Sequence, residues 1–337
     1  MIENNQVTKY FFYAMGEIIL VVIGILIALQ VNNWNEQKRQ EQKIEVLINN
    51  LKEDLQENIL DANRVINWNI ERDSLMRFVL SREVTKEDYI SNDLLSGLLR
   101  NYNIPLIAAN SLPSLLETED LGNTYSNLKE RLNLYKYVLE EEKELFTLIK
   151  QQVYDEIQLG ASLDFDQTGP ESLDDRINYY LTDQSYYNRL FNFKTTLIGN
   201  YNRRLIARRN VEVGLLYTIN AIQGNASIND SNQWFQDLGM QPFTTIACNQ
   251  TTFEIPAQTN YRNSFLFANT TNEDVYVDQL GVNGEVIKSL KIEPKSFITS
   301  YLIGLDNQYI GTAFQISNNQ GCVNAYTAVK HGYLLIE

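Results

Sequence analysis

Residues 10–35 read YFFYAMGEIILVVIGILIALQVNNWN, a run with a single charge, Glu17. At about 1.5 Å of rise per residue, some twenty-two apolar residues make a helix of about 33 Å, close to the ~30 Å hydrocarbon core of a bilayer. Tyr10, Phe11, Phe12 and Tyr13 stand at one end and Trp34 at the other, where amphipathic rings favour the headgroup level. The run reads as a membrane anchor rather than a cleaved leader. It is too long for a leader, only Lys9 precedes it as a cation, and no small-x-small site follows Leu29.

The remainder of the 337 residues is ordinary globular sequence, 44% hydrophobic and 21% charged. A formal charge of −14 argues against nucleic acid or anionic lipid as the main partner, since both select a basic face. There is one histidine, His331, which excludes His-rich metal sites and disfavours a His-based dyad. No GxSxG, P-loop, HExxH or CxxC pattern occurs, so the expectation is a protein that is not an enzyme and takes no cofactor.

Beyond the anchor, Ile44, Ile48, Leu51, Leu55, Ile59, Ala62, Ile66 and Ile70 recur at steps of four and three, the stripe of a helix that continues from the span. Further helices are expected over 91–100, 110–118 with Pro113 in the first turn, 124–157, 175–181 and 183–222. After Gly224 the texture changes to short β-branched and aromatic runs. Asn283-Gly284 marks a hairpin between VYVDQL and EVIKSL, and Pro294-Lys295 marks another turn. The fold class expected is α+β: residues 1–35 as N-terminus and transmembrane anchor, 36–225 as an all-α helical bundle, 226–243 as a linker, and 244–337 as an antiparallel β-sandwich.

Two resemblances refine this. The stretch FYAMGEIILVVIGILIALQVNNWNE resembles the opening of a family of single-span proteins of uncharacterised activity from Bacteroidota-type bacteria, with the same Gly-Glu pair, Gly-Ile-Leu-Ile-Ala-Leu-Gln core and Asn-Asn-Trp-Asn ending. That resemblance implies a bacterial inner-membrane address, and the family it points to has no established activity. MIENNQVTKY lacks the basic N-terminal stretch those proteins often have. FLFANTTNEDVYVDQLGVNGEVIKSLKIEPKSFITSYLIG is similar to the β-domain family of the von Hippel–Lindau tumour suppressor, sharing Phe-x-Asn-x-Thr, an Asn-Gly hairpin and a Leu-x-x-x-Pro turn. Tyr301, Leu302, Ile303 and Gly304 replace the His and Trp residues of its hydroxyproline pocket. The resemblance therefore implies a protein- or peptide-binding sandwich and not hydroxyproline reading.

Glu17 is the residue with the sharpest chemistry. An ionisable group near the bilayer centre costs roughly 2.5–3.5 kcal/mol and favours a partner helix, a cavity or a counter-charge. Gly16, Gly24 and Ala28 leave a small-residue groove, and Glu17, Gly24 and Ala28 follow at steps of seven and four, partly on one face. Docking to another membrane subunit, or self-association, is the reading preferred over a Glu17 that is protonated in lipid or reaches the surface, and over a proton-transfer role. The only cysteines, Cys248 and Cys322, bracket the β-rich region and read as one disulfide in an oxidising compartment, with two buried thiols as the alternative. That pair favours a periplasmic body, whereas Lys38, Arg39 and Lys43 against Lys9 favour a cytoplasmic one by the positive-inside count.

Asp164, Asp166, Thr168 and Asp175 are spaced as a weak calcium loop, but Pro170 intrudes and Glu171 stands where an aliphatic residue belongs. A solvated inter-helix loop is the preferred reading. Arg203, Arg204, Arg208 and Arg209 form the one basic cluster, which is expected to pair with acidic runs such as 140–144. The function these features suggest is a membrane-anchored accessory or scaffold subunit of a bacterial envelope complex, docked through its helix. The alternative is a periplasmic ligand sensor acting through a membrane partner.

Overall fold

The computed structural model describes residues 4–163, 170–224, 231–248, 264–294, 296–299, 311–318, 321–329 and 332–336. The fold mixes helix and strand: a long N-terminal helix with a bare apolar segment, further helices packed on its second half, and two C-terminal sheets. Helix α1 spans Asn4–Leu80, 77 residues without a break, about 115 Å at the standard rise. Residues 11–43 are exposed, and burial begins at Ile44. From there the expected stripe faces inward: Ile44, Ile48, Leu51, Leu55, Ile59, Ala62 and Ile66 are all buried. No proline or glycine interrupts the helix between Gly24 and Leu80. It stops where Arg82 takes a left-handed φ of 62°, a conformation glycine would adopt more cheaply. The Arg82 guanidinium rests over the Tyr187 ring at 4.4 Å.

Short helices α2 (Lys86–Ser91) and α3 (Asp93–Ser96) replace the single helix expected over 91–100, because Asn92 caps α3 through its side chain and ends α2 in an extended conformation. An extended stretch then crosses α1. Asp61 accepts from Leu106 N at 2.5 Å, Asn58 accepts from Ala108 N and donates to its carbonyl, and Asp54 accepts from Asn110 N. Positions 54, 58 and 61 share one helix face, so a single side of α1 satisfies alternate backbone groups of the strand-like segment.

Helix α4 (Leu112–Glu117) carries Pro113 in its first turn, α5 (Gly122–Tyr125) is one turn, and α6 (Leu128–Ser162) is the second long helix. Helix α7 (Pro170–Thr182) precedes an almost continuous rod. That rod is α8 (Gln184–Lys194), a π-helical stretch Thr195–Tyr201, and α9 (Asn202–Ile222). Helix α9 is buried nearly all round, because α1 and α6 cover two sides and a sheet covers a third. A helix hydrophobic or buried on every face belongs in the middle of a body, and its weak amphipathicity follows.

Within the stretch expected as a linker, α10 (Ser231–Asp237) and β1 (Gln241–Pro242) are ordered elements, and Phe235 of α10 stacks on Tyr333 at 4.5 Å. The remaining strands are β2 (Thr244–Ile246), β3 (Leu266–Asn269), β4 (Val275–Leu280), β5 (Val286–Ile292), β6 (Ser296–Thr299), β7 (Ala313–Asn318), β8 (Gly321–Thr327) and β9 (Gly332–Ile336). One sheet has the order β1-β9-β3-β6 and the other β2-β8-β7-β4-β5. The five-stranded sheet is antiparallel throughout. In the four-stranded sheet β9 runs parallel to both β1 and β3, a departure from the wholly antiparallel expectation. The hairpin between β4 and β5 turns at Gly284, φ 78°, as the Asn-Gly pair requires.

Phe243, Phe265, Phe267 and Phe314 form a core between the sheets, with Phe267 and Phe314 centroids 5.1 Å apart. In the Phe-x-Asn-x-Thr stretch, Asn269 is fully buried. Its amide donates to the carbonyls of Glu273, Ile292 and Glu293 and ties the end of β3 to the end of β5. The outer side of the four-stranded sheet contributes Leu266, Ala268, Phe297 and Tyr333 to the same core as α1, α6 and α9. Phe297 lies against Gly214 of α9, where a Cβ would overlap its ring, and Arg131 of α6 covers it at 4.7 Å.

Cys248 and Cys322 are bonded to each other, Cα atoms 5.8 Å apart, across 74 positions of sequence. The bridge fixes the far end of the short edge strand β2 to β8. Reduction, or Cys322→Ala with Cys248→Ala, is expected to lower stability by roughly 2–4 kcal/mol. Denaturant unfolding with and without reductant measures this, and coincident curves would count against it.

Candidate functional site

Two features of α1 define the candidate site, one bare and one buried. The bare one is the segment from Phe11 to Trp34, whose large apolar side chains are all exposed; Leu20, for example, is 73% exposed. Among the described residues this is the one helix long and apolar enough to cross a membrane. Glu17 and Ala28 lie exposed on it, and an added Cβ at Gly16 or Gly24 would meet nothing within 4 Å. Among the described residues, therefore, no element packs on the groove that these four residues form. At its end Lys38 sits over the Trp34 ring at 5.3 Å, a cation–π contact one turn on.

The buried feature begins about four turns into the body. Polar residues interrupt the apolar stripe of α1, and each is matched by a polar group on a facing element. Asn58 donates to the Tyr135 hydroxyl of α6 at 3.0 Å. Asn63 accepts from Arg209 of α9 at 2.9 Å and donates to the Leu238 carbonyl. Asn69 donates to Asn202 at 3.0 Å. Asp73 pairs with Arg77 on its own helix at 2.8 Å and with Lys194 of α8 at 3.3 Å. The register of α1 against α8 and α9 is thereby fixed by directional bonds as well as by apolar packing.

At the centre of this seam Arg208 is 0% exposed and bridges two carboxylates, Glu142 of α6 through Nε and Glu212 of α9 through Nη1 at 2.5 Å. Tyr135 donates to Glu212 Oε1 at 3.0 Å, and Tyr201 of the π-helical stretch donates to Glu142 Oε1 at 3.4 Å. Arg209, also fully buried, has amide oxygens as its neighbours: those of Asn63 and of Asn210, which itself reaches Ser264 before β3. Arg204 pairs with Glu141 at the rim.

Burial lifts the Glu212 carboxyl to about 7, and Glu142 adds to this while Arg208 opposes it. Burial also acts against the charge of Arg208, but Glu212 and Glu142 outweigh it and hold the guanidinium above its ordinary value. Burial pulls Arg209 down to about 10. Burial followed by the adjacent carboxylates raises Tyr135 and Tyr201 well above the phenol range, so both hydroxyls keep their protons and donate.

Arg204 and Arg208 of the cluster read from the sequence thus meet the acidic run of α6, as expected of residues 140–144, Arg208 in the interior, whereas Arg209 is buried against the amide oxygens of Asn63 and Asn210. Glu212, Tyr135, Asn58 and Asn63 join this cluster without any motif in the sequence to mark them. Their signal was a polar residue sitting in or beside an apolar period. Of the calcium candidates, Asp164, Asp166 and Thr168 lie outside the described residues, as do His331 and 301–304. Asp175 is an exposed residue of α7. Among the described residues no cluster of three or more His, Cys, Asp or Glu is arranged to hold a metal.

Residues 17–93 are similar to a family of unknown function (DUF6090). The matched stretch runs from Glu17 in the apolar segment to the first residue of α3, and so takes in both the bare and the buried parts of α1. No curated protein and no solved structure matches the chain.

Proposed function

We propose that the chain is a non-enzymatic, membrane-anchored accessory or scaffold subunit of a bacterial envelope complex. The observation that carries this reading is the continuity of α1: a bare apolar segment of bilayer length is the same unbroken helix as the central stave of the folded body. A protein whose core is built on its own anchor is suited to holding a body at a fixed height and orientation over a membrane. Glu17, Gly16, Gly24 and Ala28 then supply the docking face within the bilayer for a second membrane subunit. The helical elements form a bundle led by α1, and the two C-terminal sheets form a sandwich of the von Hippel–Lindau kind that meets proteins or extended peptides. The Cys248–Cys322 bond supports a body in an oxidising compartment, the periplasmic side of the inner membrane, against the lysine and arginine count next to the span.

The test is capture of the tagged full-length protein from native membranes in mild detergent. A stoichiometric membrane partner is expected, and Glu17→Gln combined with Gly24→Leu is expected to release it without lowering the melting temperature. Capture of the chain alone, or a complex unchanged by both substitutions, sinks the docking role.

A second reading, a periplasmic ligand sensor, is favoured by one observation: the polar seam at Asn58, Asn63, Asn69 and Asp73 couples the anchor helix directly to α6, α8 and α9. A sensor should gain thermal stability in a screen of small ligands, whereas a scaffold should not.

A further inference from the structure

We propose that Glu142, Arg208 and Glu212 form a proton-operated clamp between α6 and α9, closed when Glu212 carries a proton and strained when it is ionised. The geometry is that of a neutral acid. Glu212 Oε1 accepts both available hydrogen bonds, from Tyr135 and Arg208, while Oε2 has no partner among the described residues. A buried carboxylate with one bare oxygen is costly, and a carboxyl whose proton sits on that oxygen is far less so. Arg208 cannot neutralise both acids. It gives one donor to each, and its Nη2 is also without a hydrogen-bond partner among the described residues.

Among the described residues no second cation hydrogen-bonds to Glu212, and Arg209 acts on it only from one turn away. Helix α6 presents Tyr135 and Glu142, and the π-helical stretch presents Tyr201. Helix α9 supplies Arg208 and, one turn from Glu212, Arg209, whose hydrogen bonds go to Asn63 and Asn210. Helix α1 brings Asn58 to Tyr135, and Asp61, farther out, is held by Arg64 and Leu106 N. With both acids ionised the trio carries a net negative charge in the interior; one proton makes it neutral.

The consequence is linkage with a definite sign. The folded protein holds the Glu212 proton up to about pH 7, whereas the unfolded chain releases it near 4.5. The stabilisation is complete below about pH 4.5, declines as pH rises, and is gone above about 7. Exposed acids such as Asp88 and Asp183, whose carboxyls hydrogen bonds hold below their ordinary value, give the opposite slope. The difference between the natural protein and Glu212→Gln isolates the clamp.

Full-length protein in detergent micelles is unfolded with urea from pH 5 to 8. The folding equilibrium of the natural protein relative to Glu212→Gln is expected to fall on the order of a hundred-fold across this range. Parallel curves for the two proteins would overturn the proposal. In parallel, infrared spectra of the Glu17→Gln protein with isotope-labelled glutamate should show a protonated buried carboxyl at pH 5 that disappears by pH 8. Where Glu212→Gln does not fold, that band alone decides: its presence and loss support the clamp, and its absence at pH 5 overturns it.

Discussion

Arg208→Met is expected to destabilise the body by about 3–5 kcal/mol at pH 7.5, the usual result of removing one partner from a buried ion pair. The methionine fills a similar volume, so the loss is electrostatic rather than a cavity. Glu142 and Glu212 are left facing each other without the guanidinium, and Tyr135 and Tyr201 must satisfy them alone. For a body of this size the melting temperature should drop by roughly 6–20 °C. Two companions sharpen the test. Glu212→Gln added to Arg208→Met should recover part of the loss, because one of the stranded charges has gone, and the destabilisation should shrink in acid. A mutant within ~1 kcal/mol of the natural protein would show that the cluster is solvated and contributes little.

The second large effect concerns the join between sheet and helix. Gly214→Val places two methyl groups where the Phe297 ring lies, and neither side can yield easily. Position 214 is in the middle of the buried helix α9, and Phe297 is held from behind by Arg131. The expected cost is ~3 kcal/mol or more, at the upper end for overpacking. It should appear as undocking of the four-stranded sheet, read as faster amide exchange in β3, β6 and β9 while the α1–α6 contacts stay protected. Gly214→Ala brings only the Cβ into the same contact and should be milder than Gly214→Val. If Gly214→Val left exchange in the sheet unchanged, the close approach would not be what holds the two parts together.

The apolar skeleton of this molecule was legible because it is periodic. Ile44 through Ile66 announce a helix face, and the unbroken run from the apolar segment announces that it is one helix. Asn283-Gly284 announces a hairpin because only residues tolerant of positive φ serve there. The interior ion cluster was legible only in outline. Four arginines and a string of glutamates suggest pairing, but periodicity does not say that Arg208 and Arg209 face inward, since α9 is covered on every side and has no solvent face to contrast with. Glu212, placed between Val211 and Val213, looks like an interruption until α6 brings Tyr135 and Glu142 to it. The parallel placement of β9 beside β1 and β3 was beyond local reading, because it depends on a pairing between residues 266–269 and 333–336. The join at Gly214 and Phe297 was hidden for the same reason, as neither residue is unusual within its own element.

The unbroken α1 also sets an order of events during synthesis. In the anchored protein proposed above, the apolar segment leaves the ribosome before the stripe and enters the bilayer, while the stripe from Ile44 to Ile66 follows it into water ahead of its cover. Its main cover, α9, lies about 140 residues downstream, so at 5–20 residues per second the stripe waits for roughly 7–30 seconds. During that interval, in the anchored protein proposed above, an amphipathic helix stands beside a lipid surface that competes for the same face. The asparagines at 58, 63 and 69, which later find partners in the core, meanwhile make that face a poor fit for lipid and keep it available for the body.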